Sequence, residues 1–464
     1  TGIGGTGCLL INGASPTVSV AAATPTSLGS VYAYTTSGTG NIYVGFCSGN
    51  VTNSGVDNIA IGCCALVSNT TGCRNVAIGQ RALQNNTSGT NNTAIGFYAL
   101  YQNTTGCNNI AIGCTALYGN SFGQNNLAQG YAALRSNTGG CNNTAIGYFA
   151  LCSNTTGYGN IAIGCKALYC NTTGKNNLAL AGYGALVFNT TGGNNTAIGF
   201  GALRCNTIGS NNLAIGCKAL CNNTTGTNNT ALGYGALYAN TTGINNVAIG
   251  ASALRCNTYG SHNIAQGYRA LCANTTGCSN VAIGYQALCA NTYGTANVAI
   301  GYGALSCNTT GVSNLAIGQS ALTYNIYGNN NTAIGAQSLN FNSCGNNNIA
   351  IGQWTLLCNT IGSNNLAQGY NALVSNTTGC NNTAIGSSAL YRNRTGINNI
   401  AIGNRALGCN TYGNNNIAQG YFALSSNTTG NNNFVVGCLA MRLNTYGSNN
   451  FAVGVCALRG NTIG

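Results

Sequence analysis

The sequence predicts an all-β fold: a parallel β-solenoid, or β-roll, of about 25 coils with 17 residues per coil. Three observations predict it. Glycine recurs every 17 residues, at 62, 79, 96, 113, 130, 147 and 164, then from 199 to 454. Only 3% of the residues are charged, whereas a soluble globular domain carries roughly 25%. Each repeat also contains two glycines, and each would cost a helix about 1 kcal/mol. A fixed period of this size is the signature of stacked repeats, which bury a continuous core only by lying on one another.

The repeat covers residues 41–464 and reads N-N-x-A-I-G-x-x-A-L-x-x-N-T-T-G-x, as in residues 91–107, NNTAIGFYALYQNTTGC. Its elements follow in order. The segment x-A-I alternates like a short strand. The glycine after it allows a corner, and x-A-L-x forms a second short apolar leg. N-T-T-G is a turn, because Asn caps its own backbone and Gly accepts positive φ. Strands of successive coils pair along the axis at about 4.8 Å, which gives a rod of roughly 120 Å. Identical residues one period apart then form ladders, with Asn amides bonded along the axis and Leu and Ile placed inside. Alanine at positions 4 and 9 implies tight space, from a narrow coil interior or from close approach of a neighbouring chain.

Two departures from the period matter. The segment 177–183, NLALAGY, carries one extra residue, which predicts a β-bulge near Leu180 or Ala181. Residues 1–40 do not match the repeat and hold the only prolines, Pro16 and Pro25. They read as a small N-terminal β module that caps or links the solenoid, leaving two domains, 1–40 and 41–464. The chain stops inside the repeat at Gly464, which suggests continuation or docking on another subunit.

The composition leaves little for catalysis. Asp57 is the sole acidic residue and His262 the sole histidine. Paired carboxylates and a Ser-His-Asp arrangement are therefore excluded, and the chain reads as a non-enzyme with no catalytic, cofactor-binding or metal residues. Both residues occupy Asn sites of the repeat, which fits a polar ladder. The net charge of +13 comes from singly scattered cations, whereas nucleic-acid binding would need a cluster. No run of 18 apolar residues predicts a membrane span.

Two groups stand out as sites. Cys272 and Cys289 lie one coil apart at the same position, within reach of an inter-coil disulfide. The other thiols of this 25-cysteine chain read mainly as small packing residues. Several, such as Cys205, Cys256, Cys307, Cys358 and Cys409, recur every 51 residues, or three coils. Tyr131, Tyr148, Tyr268 and Tyr421 share position 7 and form a candidate surface aromatic stripe for packing or glycans. Triplets such as Asn69-Thr70-Thr71 match the glycosylation sequon, as an Asn/Thr-rich repeat does by chance.

The motif N-N-T-A-I-G-x-x-A-L-x-x-N-T-T-G resembles repeats of tail-fibre-like proteins of bacteria, phages and large DNA viruses. Its A-I-G triplet resembles the heads of trimeric autotransporter adhesins, whose repeat is shorter. The resemblance implies a parallel β-roll, often left-handed, in homotrimeric attachment fibres on an extracellular appendage or a virion surface. Three functions follow as expectations. The first is a structural fibre or filament subunit that self-associates into a trimer or filament. The second is an adhesin that recognises cell-surface glycans. The third is an ice-binding solenoid, although the Thr residues do not form a clear T-x-T strand.

Overall fold

A computed structural model describes residues 33–36, 40–50 and 52–463. Most of the expected N-terminal module lies outside the described residues. The described chain contains no helix and has 26 strands, β1 to β26 in chain order, one to a coil from β2 onward. It forms two compact units, residues 1–177 and 178–464. In the first, β1 (Ala33–Thr36) pairs antiparallel with β2 (Asn41–Val44). From β2 to β9 (Ile161–Cys165) the pairing is parallel. In the second unit, β10 (Leu178–Tyr183) to β26 (Phe451–Val453) are likewise parallel. The register places each residue on its repeat equivalent: Thr93 faces Ile110, Ala94 faces Ala111 and Ile95 faces Ile112. The predicted β-solenoid is therefore the fold.

The coil at 91–107 shows why this sequence closes. The strand Thr93–Ile95 ends at Gly96, where φ is +136° and an added Cβ would lie 2.6 Å from the carbonyl oxygen of Gly113. No other side chain fits there. The chain then turns sharply, with Tyr98 and Leu100 both in the left-handed region at φ +55° and +52°. Leu recurs in this strained conformation at position 10 of nearly every coil. The conformation costs about 1–2 kcal/mol, and full burial of a Leu side chain returns about 1.5–3 kcal/mol. The leucine is fully buried in every described coil from Leu66 to Leu424, so burial wins there; Leu458, in the last coil, keeps the conformation while exposed.

The interior is narrow. Ala94, Ala99 and Leu100 are fully buried, together with Asn92 and Asn103. This single-chain interior accounts for the alanines without a neighbouring chain. One sequence expectation is corrected: the isoleucines of the A-I-G triplet are not inside. A three-residue strand points only its middle residue inward, so Ala is buried while positions 3 and 5 face out.

Two buried asparagine ladders run through each unit. The Asn92 Nδ2 donates to Asn75 Oδ1 at 3.2 Å and to the Gly106 carbonyl at 2.8 Å. The Asn103 Nδ2 donates to Asn86 Oδ1 at 2.7 Å and to the same Gly106 carbonyl at 3.0 Å. Position 16 must be Gly, since a Cβ there would strike the Asn amides and the next coil's carbonyl. Buried amides satisfied on both sides hold the coils in register, because a slip would orphan them.

The extra residue falls where the sequence places it. Leu178–Leu180 pair with Thr196–Ile198, and the Gly199 N–H still donates to the Leu180 carbonyl at 2.9 Å. The added residue thus enters after Leu180. Gly182 has no atom within 4 Å of a Cβ built on it, whereas at Gly147 and Gly199 such a Cβ would lie 2.6 and 2.9 Å from the next coil's backbone.

Candidate functional site

The interior is filled, so function must reside on the outer faces of the coil. The broadest feature is the strand face. In the second unit positions 3 and 5 present Val281 and Ile283, Val298 and Ile300, then Leu315 and Ile317 on successive strands. These side chains cover one another within the ladder and remain part-exposed, 42% for Ile264 and 36% for Ile300. Gln266, Gln368 and Gln419 interrupt the ladder at position 5, all exposed. Between these interruptions the face is lined by part-exposed Ile, Val and Leu side chains, an apolar strip of the kind that interaction surfaces present.

The tyrosines of position 7 do not form one stripe. In the first unit Tyr131 and Tyr148 stack, with centroids 5.5 Å apart and planes at 18°. In the second, Tyr268 stacks on Tyr285 at 5.4 Å, and Tyr285 on Tyr302 at 5.0 Å. Tyr421 joins neither group and meets Phe422 edge-on at 4.6 Å. Tyr285 and Tyr302 complete the longest stack, and their recurrence 17 and 34 residues after Tyr268 was the available signal.

Every described cysteine is a free thiol. Cys272 and Cys289 lie against each other one coil apart, as hydrogen-bonded free thiols and not as the inter-coil disulfide their spacing allows. The Cys289 thiol hydrogen-bonds to Cys272, and with a hydrogen bond and charge from Arg269 this lowers the Cys272 thiol to about 6, against the opposing effect of burial. Donating that hydrogen bond, together with burial, raises Cys289. The pair therefore joins a thiol shifted down to one shifted up, and it is the lowered Cys272 that favours the reactive thiolate form. Cys256 is raised chiefly by burial and also contacts Cys272.

His262 belongs to a surface ladder, its Nε2 lying 3.1 Å from Asn245 Nδ2. Trp354 donates from its indole to Gln337 Oε1 at 2.7 Å. No group of three or more His, Cys, Asp or Glu suited to a metal occurs among the described residues. No described helix is long and apolar enough to cross a membrane. The sequon asparagine Asn69 is a fully buried ladder residue, closed to modification in the folded chain.

Sequence reasoning missed one cluster. Arg392, Arg405 and Arg442 stand at positions 12, 8 and 11 of three different coils and read as scattered cations. The fold gathers them around one depression of about 300 Å³, with Tyr391 and Phe422 in its wall. Their periods were legible, but which positions share a face was not.

A scan against protein-family models finds no match, and a search of curated proteins finds no relative.

Proposed function

We propose that this chain is a structural fibre or filament subunit that self-associates side by side through its strand face. The observation that carries this reading is the outward ladder of Ile, Val and Leu at positions 3 and 5. Burying it on another copy removes apolar surface from water at about 25 cal/mol per Å², and every added coil extends the contact. A copy of the same chain matches the ladder's spacing coil for coil. Position 3 varies among Thr, Ile, Val, Leu and Phe, which favours an apolar interface over an ordered Thr array for ice. The resemblance adds a homotrimer as the assembly and an appendage or virion surface as the location.

The test is mass in solution. Light scattering after size exclusion should give a multiple of the 46.8 kDa chain. Replacing Ile283, Ile300 and Ile317 together by Lys should reduce it to one chain with an unchanged far-UV spectrum. A wild-type protein that runs as a single chain at about 10 μM, where an interface of micromolar or tighter Kd is mostly formed, contradicts the proposal. The adhesin reading is favoured by a different observation, the arginine-lined depression.

A further inference from the structure

In coils 381–448 the residues at position 11 run Tyr391, Gly408, Ser425 and Arg442. Gly408 contributes no side chain and Ser425 a small one, and both are buried. The gap between Tyr391 and Arg442 is the depression of about 300 Å³. Arg392, Arg405 and Arg442 surround it, and the Arg405 and Arg442 guanidinium carbons lie 5.4 and 5.3 Å from the centroid of Phe422.

The charge of this cluster is unanswered within the chain. Asp57 is the only acidic side chain, and it belongs to the first unit. Two of the three guanidinium groups, Arg405 and Arg442, lie against the Phe422 ring, and Arg392 completes the wall with no acidic side chain in this unit to answer them. An oxyanion placed among them would receive charge-assisted, potentially bidentate hydrogen bonds of the kind Arg forms with carboxylates and sulfates.

We propose that this depression is a binding site for an anionic sugar, a carboxylated or sulfated residue of a glycan. The oxyanion is held by Arg392, Arg405 and Arg442. The apolar face of the ring lies against Phe422 or Tyr391, and the hydroxyls of Ser425 and Ser426 meet the sugar hydroxyls. The volume is at the lower end of ligand pockets, about 300–1,000 Å³, and suits one or two rings. A nucleic acid would need cations continuing along a backbone track. Here position 11 gives way to Tyr391 and then Val374 toward the N-terminus. The site does not depend on self-association through the strand face.

The experiment is calorimetric titration of the full-length protein with sialyllactose, a sulfated disaccharide, neutral lactose and a short single-stranded oligonucleotide. Binding of one or both anionic sugars, with no binding of lactose, supports the site, and the stronger of the two identifies the oxyanion. Arg405→Ala should weaken binding at least tenfold by removing a cation. Gly408→Val should do the same while leaving every arginine in place, because it fills the depression with a side chain of the size Val374 carries at this position. Far-UV spectra and the solution mass of both variants should match wild type, which separates failure of this site from failure of the fibre reading. Equal binding of the oligonucleotide, or unchanged sugar binding by Gly408→Val, would show diffuse charge attraction and overturn the proposal. So would absence of binding by either anionic sugar at millimolar concentration.

Discussion

Replacing Asn291 by Ala is the sharpest perturbation of the buried ladder. Its Nδ2 donates to Asn274 Oδ1 at 2.8 Å and to the Gly294 carbonyl at 3.0 Å, and its Oδ1 accepts from Asn308 Nδ2 at 2.9 Å. After substitution the Gly294 carbonyl keeps the Asn280 amide and Asn308 keeps the Gly311 carbonyl. Asn274 Oδ1 loses its donor in a fully buried site. Orphaning a buried acceptor costs about 1–3 kcal/mol, and the two other lost bonds about 1 kcal/mol each. The sum is about 3–5 kcal/mol, at about 1.4 kcal/mol per factor of ten. In a stack of repeats the loss falls on the interfaces of the affected coil. Amide hydrogen exchange over residues 274–308 should therefore accelerate roughly 150- to 5,000-fold where opening is local. The control is Asn347→Gly, which removes the exposed Asn347–Asn364 amide contact at 3.2 Å and keeps a residue that accepts φ +57°. It should change stability by no more than about 0.5 kcal/mol. An acceleration below about threefold in Asn291→Ala, under 1 kcal/mol, would refute the view that buried amides hold the coils together.

Other outcomes follow from the same geometry. Gly301→Ala should disrupt its coil, because φ is +135° and the new Cβ would lie 2.6 Å from the Gly318 carbonyl oxygen; Gly182→Ala should be tolerated, and equal thermal shifts of the two would contradict the packing described. Leu305→Ala should cost about 2–5 kcal/mol by opening a cavity in the narrow core, read as loss of exchange protection in the neighbouring coils. Alkylation of Cys272 should rise with pH through about 6 and then level off, since its thiol is lowered to about 6, whereas an ordinary thiol rises through about 8.5. Arg269→Gln should move that midpoint upward, and a wild-type midpoint at or above 8 would remove the assignment.

Most of the fold was legible because the 17-residue period carries both the strand and its corner. Gly96 and Gly106 announce positions where a side chain has no room, and the slip after Leu180 is visible as a single change of step. The placement of Ile95 was not legible. An x-A-I triplet alternates in either orientation, and general hydrophobicity assigns the larger residue to the core. The narrow interior reverses this, admitting Ala94 and sending Ile95 outward. The same ambiguity hid the arginine cluster, since Arg392, Arg405 and Arg442 share a face only once the turn at positions 8 to 12 is known. The adjacency of Cys272 and Cys289 needed only the period and was visible, whereas their standing as hydrogen-bonded free thiols instead of a disulfide was not.

The central claim is that these coils present an apolar strand ladder whose partner is another copy of the chain. Cryo-electron microscopy of the purified protein tests it most directly. The account predicts assemblies of several chains, with coils spaced about 4.8 Å apart and the position 3 and 5 ladders turned toward one another. Single chains with Ile264 and Ile300 open to solvent would contradict it.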